Sequence, residues 1–539
     1  MPFLFGNPGS TELPLIDALS RRERPGYVLA LHESAAIGMA DGYAQQSGRL
    51  AAANVHVEPG LANAMAGVVN AARARVPMLV TVGQQQQDLL PTAPFLGGDI
   101  VGMALPAAKA AWEARDPAEL ADLVRRGVRT ALTPPRGPVV LSLPLDVQVA
   151  PAPAPHRPEP VPPTTRPLAP ALDRAAEALR GASAPAVAFG DGVGDAGAAG
   201  ELAAVAERLG APLHGEPMPG RISVPTDHPL YRGPLPPFAA QIAPVLAAHD
   251  VVLACGMPVF RLFGGSPGPA LGPQARLIHL DDDPQEIGRV HTPEVGVAGD
   301  LGASLAGLLE RLGPASARER DRRSRVAVAT GEARRQARDA LARAASGEGV
   351  SPAAFARAVA AAVGPRDLVV DEALTAGRGL RTALGRRVRG TWLAHRGSAL
   401  GWGLPAAVGA KLADPARRVM AIQGDGGLLF GVHALWTAAH HRLGLALVVA
   451  DNRGYEILRA GLEGMTGRPE APWPGLRIER PDLDLLEICR GFGASAVAVE
   501  RSRDLRDALA ELWLRAETGP AVLVVRVIGR TPAVGYPLS

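Results

Sequence analysis

The sequence predicts an α/β protein made of three doubly wound parallel-sheet domains. Three observations lead there. Short apolar runs alternate with helical patterns in three successive blocks, one proline-rich and one arginine-rich stretch separate the blocks, and 539 residues exceed what a single hydrophobic core accommodates. With 47% hydrophobic and 20% charged residues the chain is globular, and 56 Lys and Arg against 53 Asp and Glu leave a scattered net charge of +3. That balance gives no electrostatic footprint for nucleic acid, so no such partner is expected. Cys255 and Cys489 lie far apart in apolar contexts, which points to neither a zinc site nor a disulfide framework and makes a reducing cytoplasm the expected location. Gly, Pro or charge interrupts each apolar stretch before it reaches membrane-spanning length, and no membrane partner is expected.

The first block, residues 1–150, opens with "FLFGNPGSTELPLIDAL": an apolar run, a turn-forming cluster from Gly6 to Ser10, and a helix with Leu13, Leu15, Ile16 and Leu19 on one face. "YVLALHE", "LAAANVHV" and "VPMLVTVG" read as strands, with "SAAIGMADGYAQQ" and "ANAMAGVVNAARA" as helices, and "GPVVLSLPLDV" closes the block. Alternation in the strand "YVLALHE" points His32 away from Glu33. Residues 151–168 are too proline-rich for either element and read as an extended connection. The second block, 169–313, has "APAVAFGDGVG", "HDVVLACG" and "ARLIHLDDD" as strands and "AGELAAVAERLG" among its helices. Residues 314–348 read as a solvated linking helix, with Glu319 and Arg323, and Asp321 and Arg325, at i,i+4 spacing. Ser351 and Pro352 cap the helix that opens the third block, 349–539, whose strands are "DLVVDE", "RVMAIQGD", "LALVVADN" and "AVLVVRV".

The strongest chemical signal lies in that third block. One strand ends in Gly424-Asp425-Gly426, a helix follows, and the next strand ends in Asp451-Asn452. A separation of 27 residues (425 to 452) is one crossover, which places both side chains at the carboxyl edge of neighbouring parallel strands. Magnesium takes about six oxygens. Asp425, Asn452, a loop carbonyl such as that of Gly454, phosphate oxygens and water supply them, and glycines beside Asp425 admit a diphosphate close to the backbone. A second Gly190-Asp191-Gly192 also follows a strand, but the residue 27 further on is Met218, so the partner oxygen is missing. It overlaps a Gly192-x-Gly194-x-x-Gly197 match to the dinucleotide fingerprint, which leaves a nucleotide in the middle block open.

Gly424-Asp425-Gly426 with Asn452 at that distance resembles the motif of thiamine-diphosphate-dependent enzymes. The three-block layout is similar to the pyrimidine-binding, middle and diphosphate-binding domains of the pyruvate-oxidase and 2-oxo acid decarboxylase group. Within that group "FGNPGSTELP", "LALHE", "VHVEPGLANAMAGVVNA", "GSALGWGLPAAVG" and "ALWTAA" look most like the benzoylformate decarboxylases. The resemblance covers nearly the whole chain and is more specific for the cofactor than for the substrate.

The resemblance implies thiamine diphosphate and Mg2+ as cofactors, a small 2-oxo acid as substrate, and an aldehyde and carbon dioxide as products. It implies that Ser10, on the loop after the first strand, contacts the substrate carboxylate, with Glu33 and His56 on the next two strand ends. Glu33 would hold the aminopyrimidine ring in the tautomer that takes the C2 proton of the thiazolium, and His56 would move protons near neutral pH. Leu400 would prop the bent cofactor, the Ser398 carbonyl would receive its amino group, and Thr375 would bind diphosphate. Gly424, Asp425, Gly426, Gly427, Asn452, Gly454 and Tyr455 complete the implied cofactor site, and Asp425, Asn452 and Gly454 the metal site. Ser10, His56, Phe263, Leu374, Ile457 and Gly461 are the implied pocket positions. His440 and His441 are expected on the crossover helix, outside the site.

Two departures qualify the substrate. Phe263 stands where the benzoylformate decarboxylases carry a second active-site histidine, and Glu456, Ile457 and Gly461 replace another set of pocket residues. Met1 also begins almost in the first strand, where relatives have a helix, so a start further upstream is expected. Three other readings remain: carboligation in the manner of acetolactate synthase, a catalytically silent cofactor-binding protein, and a nicotinamide enzyme built on the middle-block glycines. A homodimer or homotetramer is expected, because the two halves of one cofactor need two α/β domains that the family assigns to different subunits.

Overall fold

The apolar runs pair into three six-stranded sheets, and every pairing between their strands is parallel. The computed structural model describes residues 2–153, 165–264, 268–468 and 472–529, so most of the proline-rich connection lies outside the described residues. The first sheet runs, in spatial order, Gly26–Leu29, Phe3–Gly6, Ala51–Val55, Met78–Gln84, Pro138–Pro144 and Ala110–Glu113. The third runs Trp392–Ala394, Leu368–Glu372, Val419–Gly424, Leu445–Asp451, Pro520–Arg526 and Ser495–Val499. Numbered along the chain, both have the order 2-1-3-4-6-5. The middle sheet differs. Its strands, Pro185–Phe189, Leu213–Gly215, Tyr231–Pro234, Val251–Cys255, Arg276–Asp281 and Val295–Ala298, take the order 3-2-1-4-5-6 of dinucleotide-binding folds.

Four edge or near-edge strands, Ala110–Glu113, Tyr231–Pro234, Trp392–Ala394 and Ser495–Val499, carry no apolar run long enough to read from sequence. The linking helix is corrected in part. Ala317–Ala344 is helical and capped by Ser316, and Asp321 pairs with Arg325. Glu319 does not pair with Arg323; it meets Arg208 of the middle domain at 2.6 Å and the Ser316 backbone N–H at 2.7 Å. Arg322 and Arg334 donate to the Ser183 and Tyr231 carbonyls of the same domain. One face of this helix is therefore docked on the middle domain rather than solvated, because its arginines saturate carbonyls that the short loops leave exposed.

The first and third domains share one core. The helix Glu33–Ser47 crosses Gly403–Ala413 through small residues on both sides. A Cβ at Gly38 would stand 2.7 Å from Pro405 Cβ, and one at Gly42 or Gly409 would overlap the Ala406 or Met39 carbonyl. Backbones this close bury Ala36, Met39 and Ala40 with Leu404, Ala407 and Val408 in a single cluster. Among the described residues no helix is long and apolar enough to cross a membrane.

This crossing makes a contrast. Gly409→Ala forces two backbones apart, costs about 1–3 kcal/mol and lowers the thermal midpoint. Gly200→Ala, in the helix Ala199–Leu209 with open space around it, gains up to about 1 kcal/mol and does not lower it. Differential scanning calorimetry of both variants checks the order.

Candidate active site

In the third domain the register pairs Gly424 with Ala450, so Asp425 and Asn452 emerge side by side where their strands end. The crossover between them is broken into two helices, Asp425–Gly431 and Ala434–His440, rather than one. His440 ends the second and stacks on Trp436, and His441, which follows it, meets the His440 ring edge-on. Asp425 is 4% exposed; its carboxylate accepts the Gly426 and Gly454 N–H groups at 2.9 and 3.0 Å. Burial first, then the charge of Asp451, push its pKa up to about 6. Asn452 Oδ1 is buried and, among the described residues, has no hydrogen-bond partner, so its desolvation is not repaid there. A Cβ at Gly424 would meet nothing within 4 Å, which leaves space beside the carboxylate. The Tyr455 ring closes over Gly426, and Ile457 and Gly461 follow on the helix Glu456–Thr466. A buried carboxylate and an unsatisfied buried amide oxygen, with open space at Gly424, fit a hard cation that brings further oxygens with it. Among the described residues no cluster of three or more His, Cys, Asp or Glu offers a metal site without such a ligand.

In the first domain three loops converge. Ser10, exposed, opens the 3-10 turn Ser10–Glu12 after the first strand, and the other two residues of that turn are buried. Glu33 is not on a strand end: extended pairing stops at Leu29, and Glu33 is the first residue of the helix Glu33–Ser47. His32 is its N-cap, with Nδ1 accepting the Ser34 N–H at 3.2 Å and the ring stacked on His433, so strand alternation does not orient it. His56 caps the next helix, Val57–Arg73. A Cβ at Gly60 would lie 3.1 Å from Glu33 Oε1 and 3.4 Å from His56 Cβ, and one at Gly9 would overlap the His56 ring. These two glycines are what let Ser10, Glu33 and His56 share one crevice.

Glu12 is the residue that sequence reading missed. It is 1% exposed, accepts the Gly9 N–H at 2.8 Å and the Thr11 hydroxyl at 2.9 Å, and lies 2.8 Å from His56 Nδ1. An ionised carboxylate there fixes the imidazole proton on Nδ1 and leaves Nε2 as the basic nitrogen. The signal available was a helix-capping Glu, which is ordinarily spent on its own helix.

Three family profiles match the chain: the N-terminal TPP binding domain of thiamine pyrophosphate enzymes over residues 2–102, their central domain over 172–308, and their C-terminal TPP binding domain over 377–525. The chain belongs to the thiamine pyrophosphate enzymes. It is similar to the benzoylformate decarboxylase of Pseudomonas aeruginosa, 34% identical over 94% of this chain and 92% of that one. It is also similar to the acetolactate synthase large subunit of Parasynechococcus marenigrum, 30% identical over 92% and 80%. Among solved structures, the 4-hydroxybenzoylformate decarboxylase of Rhodococcus jostii superposes with a TM-score of 0.85 at 28% identity, over 98% of this chain and 96% of that one.

In this member of the thiamine pyrophosphate enzymes the peptide carrying Ser398 and Leu400 is tied to all three domains. Asn70 Oδ1 of the first domain accepts the Arg396 and Gly397 N–H groups at 3.1 and 2.7 Å. Glu372 of the third accepts those of Gly401 and Gly403 at 2.5 Å each, and Gln423 Nε2 at 2.7 Å; burial pushes its pKa up to about 7. Glu216 of the middle domain takes Arg396 Nη2 at 2.9 Å, and Asp191 lies 3.3 Å from Arg396 Nε. Ser398 is thereby held at φ +58, exposed beside Leu400, and Thr375 is buried in the turn after Leu368–Glu372.

The same contacts engage the acids beside the middle-domain glycines. Asp191 N–H, at the helix start where a dinucleotide phosphate would bind, donates to Glu216 Oε1 at 2.7 Å. Glu216 follows the second strand of the domain, the position from which an acid takes a ribose hydroxyl. Glu216 is hydrogen-bonded to Arg396 and Asp191 lies in ion-pair range of it, so both acids face this arginine. Phe263 is 47% exposed and sits edge-on against Phe238.

Arg396→Met strands Asp191 and Glu216 buried without their cation, which costs about 3–5 kcal/mol. Asn70→Ala strands two N–H groups and costs about 1–3 kcal/mol. Urea midpoints fall in that order; midpoints equal to the parent protein contradict these contacts.

Proposed function

We propose that this chain catalyses the thiamine-diphosphate- and Mg2+-dependent, non-oxidative decarboxylation of a 2-oxo acid to an aldehyde. The observation that carries the reading is the Glu12–His56 pair set against Glu33 across Gly60, an oriented proton carrier beside the carboxyl group that the cofactor needs. Asp425, Asn452 and Gly454 would hold the cation, with Gly424, Gly426, Gly427, Thr375 and Tyr455 around the diphosphate and Ser398 and Leu400 under the ring system. Bound thiamine diphosphate supplies a nucleophilic carbon and an electron sink for the departing carboxylate.

The remaining work falls to side chains. The exposed Ser10 hydroxyl donates to the substrate carboxylate. Because Glu12 occupies Nδ1, His56 exchanges protons through Nε2, and the charge of Glu12 stabilises the imidazolium that results. Within one chain no hydrogen bond or ion pair among the described residues joins the Ser10, Glu33 and His56 crevice to the Asp425 and Asn452 site. That separation supports a two-fold assembly in which each cofactor bridges two copies. Carboligation, favoured by the similarity to acetolactate synthase, uses the same residues with a second carbonyl compound in place of the proton.

Four outcomes test the reading. A screen of 2-oxo acids should give cofactor-dependent carbon dioxide and aldehyde; carbon-carbon products without free aldehyde would favour the ligase instead. Asp425→Ala should lose metal-dependent retention of thiamine diphosphate on dialysis, and undiminished retention would remove the cation site. His56→Ala should slow turnover by roughly 10²–10⁴ while sparing C2 proton exchange on the cofactor, whereas Glu33→Gln should suppress that exchange. Glu12→Gln should lower kcat in the direction of His56→Ala with the fold intact by circular dichroism.

A further inference from the structure

A cavity of about 290 Å3 opens between the middle and third domains, beside Leu374 and Ser398. Met218 and Leu374, each 44% exposed, present apolar surface, Arg261 and Arg378 bring guanidinium groups, and Asp371 and Glu372 stand on the third-domain side. Arg261 is the informative one. Its Nη1 is buried with no hydrogen-bond partner, and among the described residues no carboxylate lies within ion-pair distance of it. The neighbouring Glu216 is hydrogen-bonded to Arg396, and Asp191 lies in ion-pair range of the same arginine. Burial and the charge of Arg396 both press the Arg261 guanidinium downward, and a guanidinium keeps its proton regardless. His395, on the same wall, has a buried Nδ1 without a partner and is driven toward neutrality by burial, to about 4. It therefore adds a polar nitrogen rather than a second cation.

Glu216 and Glu286 offset part of the Arg261 charge from a distance, but the buried Nη1 still lacks an acceptor, and a ligand oxygen would supply one. Leu374 and Ser398 were expected at the substrate pocket and the cofactor, so the cavity adjoins the place where the 2-oxo acid would react. Phe263, expected to wall that pocket, is not among the lining residues; its segment enters through Arg261, two residues earlier. The carboxylate lost in decarboxylation is assigned to Ser10 on another domain, so it is not the charge this guanidinium awaits.

We propose that Arg261 receives a second anionic group of the substrate, making the preferred substrate a 2-oxo acid with a carboxylate at its far end. The apolar wall of Met218 and Leu374 takes the carbon skeleton, and the Arg261 fork takes the distal carboxylate. This assignment rests on the decarboxylase reading, and its test is built to separate the two.

The test uses protein loaded with thiamine diphosphate and Mg2+, and two matched substrate pairs: 2-oxoglutarate with 2-oxohexanoate, and 4-carboxybenzoylformate with benzoylformate. The ratio of kcat/KM for the dianion to that for the monoanion should exceed one in at least one pair. Arg261→Met, which keeps volume, should reduce that ratio by roughly ten- to a hundredfold, and Arg261→Lys should restore part of it. A ratio at or below one in both pairs, or a ratio indifferent to Arg261→Met, overturns the subsite while leaving decarboxylation standing. If no 2-oxo acid is turned over, the decarboxylase reading fails and calorimetry decides the subsite. Glutarate should bind at least tenfold more tightly than valerate, with the difference lost in Arg261→Met. Equal binding of the two, or inorganic phosphate binding as tightly as glutarate, would overturn it.

Discussion

The peptide from residue 396 to residue 403 is the constraint on which the rest of the site depends. It has no regular structure of its own for most of its length, yet it carries Ser398 and Leu400 and leads into the helix Gly403–Ala413. Each domain contributes a buried acceptor to it: Asn70 from the first, Glu216 from the middle, Glu372 from the third. A loop bonded to one domain would follow that domain's fluctuations. A loop bonded to three keeps its shape only while the three keep their relative placement, so interdomain packing and site geometry become one property.

That dependence gives the shared core its purpose. Glycines at the crossing of Glu33–Ser47 with Gly403–Ala413 bring the backbones of two domains nearly into contact, and the helices so joined begin at Glu33 and three residues after Leu400. The middle domain enters by a different route. It has the strand order and glycine pattern of a nucleotide-binding fold, but its two acids meet an arginine of the same chain where a nucleotide would sit. Architecture and ligand have come apart in this domain, as they commonly do.

Features encoded by strand ends were legible in the sequence, and features encoded by long-range partnership were not. Asp425 and Asn452 could be placed side by side because a crossover of fixed length between parallel strands leaves little freedom, even though the crossover proved to be two helices. Glu33 was misplaced by a few residues, because "LALHE" continues an apolar run past the point where His32 caps a helix. Glu12 was invisible as a partner of His56, since its local context already explained it and the imidazole lies 44 residues away. The Glu319 pairing failed for the same reason: Arg208, from another domain, outcompeted a helical neighbour. Arg261 carried no motif, and only its missing partner in three dimensions drew attention to it.

Amide hydrogen exchange on the cofactor-free protein reads the central claim most directly. If three domains preorganise the 396–403 peptide, the N–H groups of Gly397, Gly401 and Gly403 are protected before any cofactor is added, to the level of the neighbouring sheet. Exchange of these three amides at the rate of a free peptide, slowed only when thiamine diphosphate is supplied, would contradict it.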